Sequence, residues 1–232
     1  MYNNYEEAKS LAYKAKSQIY LRMIKVLPAL GLRVLFPVVN FINPKRKAKV
    51  LDVGSGSGLY SFILREKFQC DCLEIEPFLS NYYGNSEVVK TQIMNYHLSE
   101  KYDLILLIDV IEHFDIWEAK QIIQKLKGSL NADGSIIIKV PNMGSLSGLE
   151  SCFGDLTHKT HYNLISITAL FDELDLKPIR VRGVSSNFKL SRMMMRLLAL
   201  PYTVFLWLYL KSHGCSGVLT QPSIMMELRG KN

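Results

Sequence analysis

Val50-Leu-Asp-Val-Gly-Ser-Gly-Ser-Gly58 decides how the chain is read. A short apolar run fit for a buried parallel strand passes into a turn with glycines at 54, 56 and 58, and a helix-like stretch follows over 59–68. Glycine tolerates positive φ and lets a ligand touch the backbone, while the start of the next helix offers N–H groups to an anion or a polar ligand. The turn predicts a nucleotide-like ligand. Its spacing is G-x-G-x-G and not the G-x-G-x-x-G of dinucleotide enzymes, and Asp52 stands before it, which argues against a dehydrogenase. Twenty positions beyond Gly54, Glu74 is expected at the tip of a second strand, where a carboxylate accepts from both hydroxyls of a ribose. Glu76 is its rival within Cys72-Leu-Glu-Ile-Glu-Pro77, and strand alternation favours Glu74.

Outward from the turn, strand-like and helix-like segments alternate, the pattern of an α/β fold with a mostly parallel sheet and helices on both faces. Strands are expected at 50–53, 71–74, 87–90, 102–108, 135–140, 178–183 and 223–229. Helices are expected at 59–68, 77–83, 117–130 and 164–174, with a turn at Asn131-Ala-Asp-Gly134. Residues 5–39 read as a basic helical arm broken by Pro28 and Pro37, and 189–213 as an apolar, basic helical insertion. The expected organisation is an N-terminal arm over 1–47, a core over 48–184, and an insertion with a final strand over 185–232. At 232 residues there is room for one main domain, and 48% hydrophobic, 10% aromatic and 21% charged residues exclude disordered and collagen-like classes.

Four stretches in order, Val50 to Gly58, Cys72 to Pro77, Tyr102-Asp-Leu-Ile-Leu-Leu-Ile-Asp-Val-Ile-Glu-His113 and Leu130-Asn-Ala-Asp-Gly-Ser-Ile-Ile-Ile-Lys-Val-Pro-Asn142, resemble the successive motifs of class I S-adenosylmethionine-dependent methyltransferases. The resemblance covers about residues 48–182. It implies a Rossmann-like, seven-stranded sheet of order 3-2-1-4-5-7-6 with strand 7 antiparallel, and S-adenosylmethionine as cofactor. On that resemblance Asp52, Gly54, Ser55, Gly56 and Gly58 would meet the methionine part, Glu74 the ribose, Gln92 and Ile93 the adenine, and Asp109 the cofactor from the end of strand 4. Gln92 departs from the family's frequent Asp.

Asp109-Val-Ile-Glu112-His113 follows the fourth strand at the carboxyl edge of the sheet, where open α/β folds bind ligands. Two carboxylates and an imidazole this close can hold a divalent cation, move a proton, or simply cap the loop. Downstream, Gly154-Asp-Leu-Thr-His158-Lys-Thr-His161-Tyr162 resembles a stretch found in methyltransferases encoded with surface-polysaccharide and glycan genes. His158 is the first choice as catalytic base, since an imidazole with an ordinary pKa of about 6.5 suits removal of a hydroxyl proton. Asp109 and His113 are its expected catalytic companions. The alternative is a divalent cation held by Asp109, Glu112, His113 and His158, similar to the arrangement in ubiquinone-biosynthesis and small-RNA terminal methyltransferases. A hydroxyl acceptor needs such a base or metal and a carboxylate acceptor does not, so the cluster points to O-methylation. A sugar or glycan-related hydroxyl is the expected acceptor. A quinone-like or RNA-terminal hydroxyl, or a non-catalytic cofactor-binding subunit, is the alternative. His97 and His213 receive no role.

The net charge of +7 is unevenly spread, with +8 in residues 1–49, +8 in 177–232 and −9 between them. An acidic centre argues against a chain that coats DNA. The longest charge-free apolar run, Leu197 to Leu210, has 14 residues and contains Pro201, short of the about 20 that span a bilayer. Basic flanks and Phe205, Trp207 and Tyr209 give it an interfacial composition, readable as a peripheral membrane contact, a lid or a dimer contact. The polar, acidic start lacks a secretory pattern and the four cysteines form no disulfide framework, so a reducing cytoplasm, with peripheral contact at the inner face of the membrane, is expected.

Overall fold

The structure, a computed structural model, describes residues 41–77, 88–184, 200–212 and 221–231. Seven strands, β1 (Lys49–Val53), β2 (Asp71–Ile75), β3 (Val88–Val89), β4 (Tyr102–Ile108), β5 (Leu130–Pro141), β6 (Leu176–Val184) and β7 (Ser223–Gly230), form one sheet of order β3-β2-β1-β4-β5-β7-β6. β7 runs antiparallel to both β5 and β6, and the other pairings are parallel. This is the Rossmann-like order the resemblance implies.

Period-2 alternation sorts the strand residues into two apolar layers. Leu51, Val53, Ile105, Leu107, Ile136 and Ile138 face helices α2 (Ile116–Lys127) and α4 (Leu164–Glu173), while Val50, Leu104, Leu106 and Ile137 share a cluster with Leu64 of α1 (Leu59–Phe68). Helix α2 shows why such segments fold where they do. Asp115 caps it, accepting from the N–H groups of Trp117 and Glu118, while Glu118 returns a bond to the Asp115 N–H. Ala119, Ile122, Ile123 and Leu126 then form one buried stripe.

Helix α2 ends at Lys127, three residues before the expected 130, because Leu130 already pairs with Tyr102 as the start of β5. The expected turn at Asn131 to Gly134 lies inside β5, where pairing passes from Tyr102↔Leu130 directly to Leu104↔Ser135 and the intervening residues bulge. A further helix, α3 (Leu146–Phe153), was not expected. Residues 200–212 form helix α5 (Leu200–Ser212) between β6 and β7. The expected helix at 5–39, all but the first residue of the one expected at 77–83, and the remainder of the insertion lie outside the described residues. Among the described residues no helix is long and apolar enough to cross a membrane.

Gly148 fixes how α3 sits over the end of β5. A Cβ there would stand 1.9 Å from the Asn142 carbonyl oxygen, and Asn142 itself ties β5 to the chain before β7 through bonds to the Gln221 and Pro222 carbonyls. Gly148→Ala is expected to destabilise the fold at or above the upper end of the usual overpacking range of about 1–3 kcal/mol, read as a lowered midpoint in denaturant.

Candidate functional site

The glycine turn leaves β1 at the carboxyl edge of the sheet with φ of 69°, 55° and 69° at Gly54, Gly56 and Gly58. A side chain at Gly54 would strike Val110 at 2.6 Å, so here the missing Cβ permits close packing. At Gly56 a Cβ would meet nothing within 4 Å. That open cradle, beside a buried Ser55 hydroxyl with no hydrogen-bond partner among the described residues, fits a ligand lying on the turn.

The two glutamates of β2 divide differently from the expectation. Glu74 pairs in register with Asp52 inside the sheet, is fully buried, and lies 3.7 Å from the Arg65 guanidinium of α1. Glu76 stands just past the strand, and its carboxylate accepts from the Gly56 N–H at 2.8 Å. Glu76 therefore contacts the turn directly, while Glu74 lies deeper, beside Asp52 and Arg65.

Asp52 lies under the turn, accepting from Ser61 Oγ at 2.8 Å. Burial above all, aided by the nearby Glu74 and Glu76 charges, pushes its carboxyl up to about 7. A proton is then held by the folded chain and released by the unfolded one between about pH 4 and pH 7, so this group makes stability fall as pH rises through that window. Asp52→Asn is expected to remove that slope, worth roughly 4 kcal/mol across the window. Denaturation midpoints measured at pH 4 and pH 7.5 span the window and read it directly.

Gln92 is exposed and Ile93 buried where the chain turns after β3, at the same carboxyl edge. Asp109 follows β4 with a left-handed φ of 56°, and both carboxylate oxygens lie 2.5 Å from Lys139 Nζ. Its N–H also donates to the Lys139 carbonyl oxygen. Lys139, a lone cation in the apolar run of β5, was missed in the sequence. The ion pair holds Asp109 against β5, while its charge still bears on Glu112 of the expected cluster.

Those three do meet. Glu112, His113 and His158 place one ligand-capable atom each within 4.8 Å of one another. The strand-to-helix turn carries Glu112 and His113, and the loop after α3 is stitched to it by Lys159 and Thr160 N–H groups donating to the Glu112 carbonyl oxygen and by Thr160 Oγ donating to the Phe114 carbonyl oxygen. Thr157 Oγ lies 2.6 Å from Asp155 Oδ1, to which its only proton goes, so His113 Nδ1 donates to Thr157 at 2.8 Å. His158 Nδ1 donates to the Cys152 carbonyl oxygen at 3.0 Å. His158 Nδ1, facing a carbonyl oxygen, carries a proton, and its Nε2 lies 4.0 Å from Asp155 Oδ2, so both imidazoles are oriented by a bond at Nδ1. Glu112 is 1% exposed, and neither carboxylate oxygen has a hydrogen-bond partner among the described residues. Burial first, then the Asp109 charge, holds its carboxyl well above the ordinary range. His161 is exposed with its ring edge on Phe153, and His97 is exposed.

A β-ordered sheet of this topology with a glycine cradle, an acid at the tip of β2 and a histidine cluster at the same edge defines an S-adenosylmethionine-dependent methyltransferase. Residues 24–180 match the model of the methyltransferase domain family, and the chain belongs to that family. No curated protein matches the sequence. A methyltransferase of Archaeoglobus fulgidus superposes with a TM-score of 0.61 at 16% identity, over 90% of this chain and 98% of that one. One from Clostridium acetobutylicum gives 0.58 at 13%, over 95% and 100%. An O-methyltransferase of neocarzinostatin biosynthesis, in complex with S-adenosylmethionine and a naphthoic acid, gives 0.56 at 13%, over 88% and 56%.

Proposed function

We propose that this methyltransferase transfers the methyl group to a hydroxyl of a sugar or other glycan-related acceptor, in free or lipid-linked form, with His158 taking the hydroxyl proton. The observation that carries the reading is the pair of Nδ1-anchored imidazoles converging at the carboxyl edge of the sheet, the edge that also carries the glycine turn. Bound S-adenosylmethionine supplies an electrophilic methyl on its sulfonium. The chain's own work is to hold the acceptor oxygen in line behind that methyl and remove its proton.

Gly54, Ser55, Gly56 and Gly58 would receive the methionine part, with Asp52 beneath. Glu76 takes over the ribose role expected of Glu74, because its carboxylate already lies against Gly56. Gln92 and Ile93 would flank the adenine. Asp109, locked to Lys139, shapes the cofactor side of the site and is not the base.

A second reading has a specific observation in its favour. Glu112, whose buried carboxylate has no hydrogen-bond partner among the described residues, together with His113 and His158, would serve as three ligands of a divalent cation that acidifies the acceptor hydroxyl. A chelator separates the two, as developed in the Discussion.

The protein would act in the cytoplasm, peripherally at the inner face of the membrane through its basic apolar arms. Incubation with methyl-labelled S-adenosylmethionine and separate saccharide, quinone and RNA fractions tests the acceptor class. Label in the saccharide fraction is the expected result, label in the quinone or RNA fraction overturns it, and cofactor binding without transfer to any fraction leaves a binding subunit.

A further inference from the structure

Helix α5 exposes a surface that a water-facing helix does not carry. Leu200, Tyr202, Val204, Phe205, Leu208 and Tyr209 are each between 48% and 63% exposed. At about 100° per residue they sweep an arc of roughly 200°. The Phe205 and Tyr209 rings stack one turn apart, 6.4 Å between centroids. Thirteen residues make a helix about 20 Å long, too short to span the about 30 Å hydrocarbon layer and suited to lying in its surface.

Charge selects the occupant. The whole connection from 185 to 222 that contains α5 holds Lys189, Arg192, Arg196 and Lys211 and no acidic residue. An apolar helix inside an exclusively cationic segment complements a bilayer with anionic headgroups.

Topology then says which way the molecule faces. Val184 at the end of β6 and Pro141 at the end of β5 both pair with Ser223, so the connection bearing α5 leaves the sheet at its carboxyl edge, the edge of the candidate site. A second set of exposed apolar side chains stands on the same edge. Trp117 begins α2, Phe153 ends α3, and Leu156 precedes Thr157 and His158; they are 70%, 58% and 81% exposed.

We infer that the carboxyl edge of the sheet docks on an anionic bilayer, with α5 in the headgroup layer and the Trp117, Phe153 and Leu156 rim turned to the same surface, so that the acceptor reaches His158 from the lipid. Delivery from the bilayer rests on the lipid-linked form of the glycan reading above; docking does not.

The chain has two tryptophans, Trp117 in the rim and Trp207 within helix α5, so Trp117→Phe and Trp207→Phe each leave one reporter, on α5 and on α2 respectively. Vesicles of brominated phosphatidylglycerol and phosphatidylcholine are expected to quench both reporters. Apparent affinity should be about tenfold or more higher than for phosphatidylcholine alone, and should fall in 0.5 M salt, where charge attraction reaches only about 4 Å. Quenching of Trp207 alone, or of neither, overturns the inference, as does equal binding to neutral vesicles. The double change Phe205→Glu with Tyr209→Glu, at two half-exposed positions outside the candidate site, is expected to reduce vesicle binding about tenfold or more with S-adenosylhomocysteine affinity unchanged. If it instead converts a dimer to a monomer and leaves vesicle binding intact, a second copy occupies α5 and the bilayer does not. Quenching of both reporters while label enters a quinone or RNA fraction sustains the docking and fails the glycan reading, so the two are separable.

Discussion

His158→Ala is expected to lower methyl transfer by a factor of about 10² to 10⁴ and leave S-adenosylhomocysteine affinity within about twofold. The histidine is oriented, not merely present: its Nδ1 is committed to the Cys152 carbonyl, and the loop that carries it is fastened to the Glu112 turn at three points. Loss of the ring removes the proton acceptor without touching the glycine turn, so the defect should fall on turnover and not on cofactor binding. Rate and calorimetric affinity measured on the same preparation check both halves. Loss of cofactor affinity in step with rate would make His158 a structural residue. Glu112→Gln is the companion experiment. If a cation is held there, Glu112→Gln is as damaging as His158→Ala; if His158 acts as a base, its effect is much the smaller of the two.

Gly56→Val is expected to abolish the calorimetric signal of S-adenosylhomocysteine while the chain still folds. The open space over Gly56 is what a ligand would fill, and a branched side chain would occupy it. The left-handed φ of 55° adds strain of about 1–2 kcal/mol, which a cooperative domain of this size can absorb. Glu76→Ala should weaken binding by about 10- to 100-fold, the worth of hydrogen bonds to a charged group. Glu74→Ala should act chiefly on stability, because that carboxylate is buried beside Arg65 within the sheet. Binding that responds to Glu74 and ignores Glu76 would return the ribose to the deeper acid.

The fold was legible because buried parallel strands are written as mostly apolar runs, and Val50 to Val53, Tyr102 to Ile108 and Ser135 to Val140 are such runs, each broken by a single charge at Asp52, Asp103 or Lys139. The same property hid the register at the site. An acid inside β2 and an acid at its tip look alike in sequence, and only the pairing of Asp52 with Glu74 shows that the deeper one is enclosed. Lys139 was invisible for the converse reason: one cation in a strand reads as a solvated edge until Asp109 is found beside it. Helix α3, with Ser147, Gly148 and Ser151 among eight residues, has too little helical signal to be read locally, and contact with the end of β5 places it. Long-range meetings such as that of His113 with His158, 45 residues apart, were reached through resemblance, and the ion pair of Asp109 with Lys139 was not.

The central claim is that a histidine base, and not a metal, removes a hydroxyl proton at the Glu112, His113 and His158 cluster. Its most direct test is transfer of labelled methyl from S-adenosylmethionine to the saccharide fraction by dialysed enzyme, with and without EDTA. The account predicts an unchanged rate in EDTA and a product whose label survives alkali as a methyl ether. Activity lost to EDTA and restored by Mg²⁺ or Mn²⁺, or label released by alkali as methanol from an ester, would contradict it.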